Sequence, residues 1–305
     1  MARLIVLDSV IVDLVLRVVG LPLRGGDVES DEGRVVVGGG LNVARAARRQ
    51  GVEVTYAGHL GRGPFATSAR DALDAADVDV IVAPTGERDL GVCVVLVDPV
   101  GERTFVTSPG AELDLSAADL ELARPQPGDI VYASGYNLVY PSLAATAAPW
   151  LRGLDDGVIL AFDGGARVGD IPESVLAPVL DRVDWLLLNR DECRVVSGAS
   201  DVADGARRLA GATRRVVVHD GARGCWVAGD GSVVPVQGFP VVARDTNGAG
   251  DVHNGVFLAG LLRGEDAVTA ARRANLAAAL VVQGDGPAAV VSAGEIDAAF
   301  ASLQK

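Results

Sequence analysis

Asp245-Thr246-Asn247-Gly248-Ala249-Gly250-Asp251 is the stretch on which the reading of this chain turns. It follows a strand-like run, residues 237–244, and opens an apolar helix from Val252. Gly248 and Gly250 let the backbone turn tightly and approach a ligand closely. Successive N–H groups of Gly248, Ala249 and Gly250 at a helix N-terminus make a site for an anion, and the helix dipole adds positive potential. Asp251 then stands beside a bound phosphoryl group, where a carboxylate can take the proton of an attacking hydroxyl. An Asp cap after a glycine-rich turn has the same pattern and no chemistry, so this stretch alone leaves both readings open.

Outward from that turn, the chain alternates. Residues 4–7, 52–57, 78–82, 130–133, 158–162, 185–188, 215–218 and 225–228 are short apolar or β-branched runs that read as strands. Between and after them, residues 41–50, 68–76, 141–151, 172–180, 201–210, 255–263, 265–282 and 293–303 read as helices. This rhythm predicts βαβ units and an α/β fold with a parallel sheet. It breaks at residues 91–107, where 92–97 and 103–107 flank Asp98-Pro99-Val100-Gly101-Glu102, a hairpin with a Pro/Gly turn. With residues 10–18 and 34–37, that hairpin is expected to form a small separate sheet.

Composition excludes whole classes of chemistry. Lys305 is the only lysine, and all other basic residues are arginine. Schiff-base aldolases, pyridoxal-phosphate enzymes and Walker A loops all need an internal lysine. A net charge of -13 and the lack of a basic run argue against a nucleic-acid partner. Cys93, Cys193 and Cys225 are odd in number and far apart, which points to a reducing, cytoplasmic setting rather than a disulfide framework. His59, His219 and His253 show no metal-ligand spacing. Residues 1–7 read as a buried strand rather than a signal peptide, and no apolar run reaches the ~18 residues of a membrane span. A Rossmann dehydrogenase needs G-x-G-x-x-G after its first strand. Asp8-Ser9-Val10 stands there instead.

Asp-Thr-Asn-Gly-Ala-Gly-Asp ahead of an apolar helix resembles the C-terminal signature of the ribokinase-like (PfkB) family of carbohydrate and nucleoside kinases. Gly38-Gly39-Gly40-Leu41-Asn42-Val43-Ala44 resembles that family's G-G-x-x-x-N-x-A signature, about 200 residues earlier and in the family's order. The resemblance spans the whole chain. It implies one kinase domain over residues 1–305, with a three-layer α/β/α ribokinase-like fold and a mostly parallel central sheet. The small β-sheet would be a lid, with strands from about 10–38 and 91–107.

The resemblance also implies roles. ATP would bind across the C-terminal half with Mg²⁺ on its phosphates, and Asp251 would be the general base for a sugar hydroxyl. Asn189-Arg190-Asp191-Glu192 resembles the family's N-x-x-E, which would put Asn189 near the nucleotide phosphates and Glu192 on hydrated Mg²⁺. Taken alone, that tetrapeptide is also an ordinary acidic helix start. His219-Asp220-Gly221-Ala222-Arg223-Gly224 takes the place of the nucleotide-binding T-x-G-x-x-G, with His219 where the family has Thr. Gly221 and Gly224 would admit close backbone approach, although a plain β-turn needs them equally. Asn275 matches a position near the adenine. Asp245 and residues 282–287 match the site of a monovalent cation, K⁺, in many members.

For the acceptor, Asp13 interrupts an apolar strand, where an unpaired carboxylate is costly to bury. Sugar hydroxyls would satisfy it, as they do for the family's Asp at this place. A solvent-facing edge strand is the alternative. Gly38, Gly39 and Asn42 would complete the pocket, and Gly39 stands where some sugar kinases carry Lys. Arg103 is read as decorating the hairpin, with a reach to substrate as the alternative. Arg167 stands where the family often has the Arg of D-x-N-x-R, though Gly165 replaces the Asn, and it is a candidate for a phosphate or an acidic substrate. His253 follows Asp251 by two positions and should point away from it, in a structural role. Ser134-Gly135-Tyr136 and Gly169-Asp170-Ile171-Pro172 are similar to segments of uncharacterised bacterial sugar kinases of the family.

The expected protein is therefore an ATP-dependent carbohydrate kinase acting on a small sugar, without membrane or nucleic-acid partners. Family lids often pair between subunits, so a homodimer through the lid is also expected. A nucleoside kinase of the same family is the alternative acceptor class, and few aromatics near the lid argue against it. A nucleotide- or sugar-binding protein without catalysis is the non-enzymatic alternative. It would be favoured by loss of Asp251 or of the Gly-Ala-Gly turn, and both are present.

Overall fold

The pairing of the first strand decides the architecture. The computed structural model describes residues 2–284 and 290–303. Strand β1 (Leu4–Val6) pairs in parallel with both β4 (Val54–Tyr56) and β8 (Ile130–Ser134). It thus lies inside the large sheet, and a strand buried on both faces must be apolar throughout. Leu4 and Val6 pack into one core layer, Ile5 and Leu7 into the other.

Beyond β8 the sheet continues through β9 (Ile159–Asp163), β10 (Trp185–Asn189), β11 (Arg215–His219), β12 (Gly224–Gly229) and β13 (Ser232–Gln237). On the other side β4 is followed by β5 (Asp79–Val80). Pairing is parallel from β5 to β11 and antiparallel for the last two pairs. The helices Gly40–Arg49, Ala249–Leu262 and Ala267–Val281 contribute to one core layer. The other core layer takes in residues of Tyr136–Val139, Pro141–Arg152, Arg190–Ser197 and Val202–Leu209. This is the expected three-layer arrangement.

The second sheet has four strands in the order β3 (Ser30–Gly39), β2 (Val10–Val18), β6 (Val92–Val97), β7 (Arg103–Ser108). Two antiparallel pairs flank a parallel β2–β6 pair. Strand β3 is longer than residues 34–37 suggested. Its outer half, Ser30–Val35, is exposed and polar up to Arg34, so hydrophobic pattern could not reveal it.

Residues 237–244 do not form the expected strand. The ladder ends at Gln237, and Pro240 has no N–H to continue it. The strand lies earlier, at β13, where Pro235 is tolerated because β13 is an edge. The helix after the glycine-rich turn begins at Ala249 rather than at Val252 or Gly255, because Gly248 supplies a left-handed cap at φ 68°.

Chain order runs outward from β1 in both directions, which makes its carboxyl end the crevice of the sheet. Asp8 follows β1, and Ser134, Asp163, Asn189 and His219 end β8, β9, β10 and β11.

Candidate active site

The glycine-rich turn and the N-terminal signature meet here. Val252 N–H donates to Gly248 O at 2.9 Å, so the N–H groups of Ala249, Gly250 and Asp251 stand ahead of the helical ladder. Ala249 N–H makes a long contact of 3.4 Å with Thr246 O. Asp251 lies in the first turn, and Asn42 Nδ2 donates to its Oδ2 at 2.9 Å across 209 residues. Gly39 makes this possible by entering the Gly40–Arg49 helix at φ 63°, with its backbone pressed against the Ser9 carbonyl. A Cβ on Gly38 would lie 3.1 Å from Asp13 Oδ2 and 3.7 Å from Asn42 Nδ2. Asp13, Gly38, Asn42 and Asp251 therefore share one corner. Burial pushes the Asp13 carboxyl up to about 6. Burial also pushes Asp251 up to about 6; the Asn42 donor opposes it, and the charges of Asp163 and Asp13 add to it.

A set of buried acids surrounds this corner. Asp8 accepts from Ser9 N at 2.8 Å and from the Ser134 hydroxyl. Burial still raises it to about 7, against the Ser134 hydrogen bond and with Asp251 and Asp163 reinforcing. Asp163 accepts from Gly165 N at 2.8 Å, Asn254 Nδ2 at 2.6 Å and Tyr132 Oη at 3.1 Å, and burial raises it as well. Asn254 sits one position beyond His253 on the helix that carries Asp251, so Asp163 ties that helix to β9. Sequence reading singled out neither Asp8 nor Asp163 as a site residue. The available signal was positional: each is the acid that closes a short apolar strand of a parallel sheet.

Asn189 and Glu192 form a reciprocal capping box. Asn189 Oδ1 accepts from Glu192 N at 2.9 Å, and Glu192 Oε2 accepts from Asn189 N at 2.8 Å. The helix-start reading of this tetrapeptide is the one these bonds show, and Asn189 Nδ2 also donates to Glu192 Oε1 at 2.6 Å. Burial, then the Asp163 charge, pushes Glu192 up to about 8. The groups acting most strongly on Asp8, Asp163, Glu192 and Asp251 include no cation. An all-oxygen set short of positive charge fits a hydrated divalent ion. Among the described residues no three His, Cys, Asp or Glu converge as a direct metal cage. Water and substrate oxygens would have to complete the coordination.

Beyond Gly250 lies a cavity of about 300 Å³ lined by His219, Gly221, Gly224, Phe239, His253 and Asn275, among others. It is open to the glycine-rich turn, since Ala249 and Gly250 also line it. The His219 ring lies beside Gly250, with Nδ1 3.7 Å from where a Cβ would stand. The His219 and His253 rings pack with centroids 4.3 Å apart. Burial pulls His219 down to about 4, and pulls His253 well below its ordinary value, so both are neutral near pH 7. Asn275 is tied inward, donating to Val236 O at 3.0 Å and Gln237 O at 3.2 Å. Its Oδ1 then accepts from His253 Nε2 at 3.1 Å. His253 points away from Asp251, into this packing.

Three expectations change. Arg103 does not decorate the hairpin or reach into the corner: it pairs with Asp245, and Arg34 Nη2 lies 3.3 Å from the other Asp245 oxygen. With Asn247 N–H at 2.9 Å, these donors outweigh burial and hold the Asp245 carboxyl below its usual range. A monovalent cation at Asp245 does not fit, because both oxygens already face guanidinium groups. Of residues 282–287, those from 285 onward lie outside the described residues. Arg167 is held by Asp170 at 2.9 Å and covers the Tyr140 ring rather than standing as a free cation. A larger cleft, about 490 Å³, between residues 138–152 and 170–178 holds none of Asp8, Asp13, Asp163, Glu192 and Asp251.

Residues 1–293 match the family described as pfkB family carbohydrate kinase. The chain belongs to the pfkB family of carbohydrate kinases. An uncharacterized sugar kinase of Escherichia coli K12, YegV, is 32% identical over 283 residues, covering 91% of this chain and 87% of that protein. A ribokinase of Thermotoga maritima superposes with a TM-score of 0.85 at 22% identity, over 99% of this chain and 100% of its own. A fructokinase of Vibrio cholerae O395, bound to fructose, ADP and a calcium ion, superposes with a TM-score of 0.79 at 22% identity, over 98% of each chain. This pfkB protein is a sugar kinase, a phosphotransferase with an alcohol group as acceptor. None of its described helices is long and apolar enough to cross a membrane.

Proposed function

We propose that this pfkB kinase transfers the γ-phosphoryl group of ATP to a hydroxyl of a small sugar, with Asp251 as general base. The observation that carries this is the Asn42–Asp251 hydrogen bond at 2.9 Å, which puts an acceptor corner directly under an anion-binding helix start. The acceptor hydroxyls would donate to Asp13, with Gly38 and Gly39 leaving room for the ring and Asn42 orienting Asp251. Asp251 takes the proton as the acceptor oxygen attacks phosphorus and the bond to the β-phosphate oxygen breaks. N–H groups of Gly248, Ala249 and Gly250 stabilise the charge on the transferring group. Mg²⁺ would neutralise the phosphates, held through water by Glu192 and Asn189. The nucleotide would run from there past His219, Gly221 and Gly224 into the cavity beside Asn275. There His219 offers a ring nitrogen in place of a hydroxyl.

The four-stranded sheet acts as the lid, since it carries Asp13 and Gly38 over the corner and keeps water from the phosphoryl group. A homodimer through the lid is part of the proposal: Val35, Phe105 and Val106, on the two edge strands, are exposed apolar residues in search of cover. A small sugar is favoured over a nucleoside because aromatics make up only 4% of the chain, which leaves few rings to stack a base.

The test is ADP release with ATP, Mg²⁺ and a panel of sugars, sugar acids and nucleosides. One sugar should turn over, and Asp251→Asn should abolish that turnover while ATP affinity survives. Substantial turnover by the variant removes Asp251 as the base, and no ADP from any acceptor revives the non-catalytic reading.

A further inference from the structure

Asp245 opens the glycine-rich turn, and its carboxylate is where the small sheet touches that turn. Arg34 comes from β3, one edge of the sheet, and Arg103 from β7, the other edge. The two reach the same carboxylate across 211 and 142 residues of chain. Asp245 is only 15% exposed, against 27% for Arg103 and 44% for Arg34, so the pair with Arg103 is the sheltered one. The carboxylate also accepts from Asn247 N–H, which sets the bend leading to Gly248. Backbone bonds from Arg244 N and Asp245 N to Val282 O anchor the same segment from behind. The two edges of the lid and the anion-binding turn therefore meet at one side chain.

We propose that Arg34 and Arg103 are positioning residues which hold the anion-binding turn through Asp245, in the place where a monovalent cation would otherwise neutralise it. The charge count supports this. Among the described residues, two guanidinium groups face one carboxylate, so an added K⁺ meets repulsion rather than a vacant anion. Arginine is suited to the task because it stays charged at any working pH and its planar fork fixes direction as well as charge. The pair with Arg34, the more exposed of the two, contributes little to stability. Its value lies in geometry: lid closure brings two donors to the residue that starts the turn, so the turn is set when the acceptor is covered. This inference rests on the kinase reading of the site.

The test uses the whole protein with AMP-PNP and Mg²⁺ as probe, in choline, sodium or potassium chloride at equal ionic strength. Calorimetry reads nucleotide affinity and a thermal melt reads folding. The wild type should bind equally in all three salts. Arg34→Ala/Arg103→Ala should bind roughly tenfold more weakly in choline, the size of one lost hydrogen bond to a charged group. Potassium should restore it, because Asp245 is then free to attract a cation. Arg34→Lys/Arg103→Lys keeps the charge and loses the fork, so it should stay cation-independent and fall between the two. The proposal is overturned if the wild type needs potassium, if the alanine variant binds like wild type in choline, or if its loss ignores the salt. Failure of the wild type to bind AMP-PNP in any salt overturns the kinase reading together with it.

Discussion

Replacing Asn42 by leucine should move the acidic limb of the reaction's pH profile upward. Asn42 Nδ2 donates to Asp251 Oδ2 at 2.9 Å, and this favours the ionised carboxylate. Even with that help, burial holds Asp251 at about 6. A hydrogen bond to a charged group contributes about 1.5–3 kcal/mol, and one pKa unit corresponds to about 1.4 kcal/mol. Its loss should therefore raise Asp251 by roughly one to two units, to between about 7 and 8. The sign follows from the role. A general base must be ionised, so turnover falls as pH drops through its pKa, and a higher pKa brings that fall at a higher pH. The assay is kcat/KM for the sugar from about pH 5 to about pH 9, which reports the free enzyme, with ADP measured directly by chromatography. At the alkaline end the variant should come within severalfold of wild type, and near pH 6 it should lag by roughly five- to fiftyfold. A loss by the same factor at every pH would refute the reasoning, and so would a wild-type limb far from pH 6.

Other outcomes follow from the same geometry. Asp13→Ala should raise the sugar KM strongly and leave nucleotide affinity unchanged, as steady-state kinetics and calorimetry together would report; an unchanged KM removes Asp13 from the acceptor pocket. Gly38→Ala places a methyl 3.1 Å from Asp13 Oδ2. One misplaced methyl group is worth about 10- to 200-fold in a tight pocket, so kcat/KM for the sugar should fall in that range. Asp8→Asn should stabilise the protein more at pH 8 than at pH 5. The folded chain keeps its Asp8 proton up to about 7, whereas the unfolded chain releases it near the ordinary 3.8. Wild-type stability therefore declines as pH rises between those values. Melting temperatures of both proteins across that window check it, and a constant difference speaks against the buried charge.

Much of the fold was legible because its signals are local. The alternation of short apolar strands with alanine-rich helices predicted the parallel sheet, and Asp98-Pro99-Val100-Gly101-Glu102 marked the hairpin that breaks it. Of the corner, Gly38, Asn42 and Asp251 were reached from two signatures, and Asp13 as a carboxylate that interrupts an apolar strand. What stayed hidden depends on distant pairing. Asp8, Ser134 and Asp163 become neighbours only because β1, β8 and β9 lie side by side. Arg103 looked like surface decoration because its partner is 142 residues away. Strand β13 was masked by Pro235, whose missing N–H matters only if both sides of the strand are paired.

The central place of β1 also bears on how the chain is made. Residues 4–7 leave the ribosome well before their partners, Val54–Tyr56 and Ile130–Ser134. At about 5–20 residues per second, the run waits several seconds or more for its second neighbour. Through that interval it is a sticky strand with two open edges, the kind of segment that chaperones shield and that drives aggregation when they do not. Synthesis speed between residue 4 and residue 134 should then limit how much folded kinase a cell recovers.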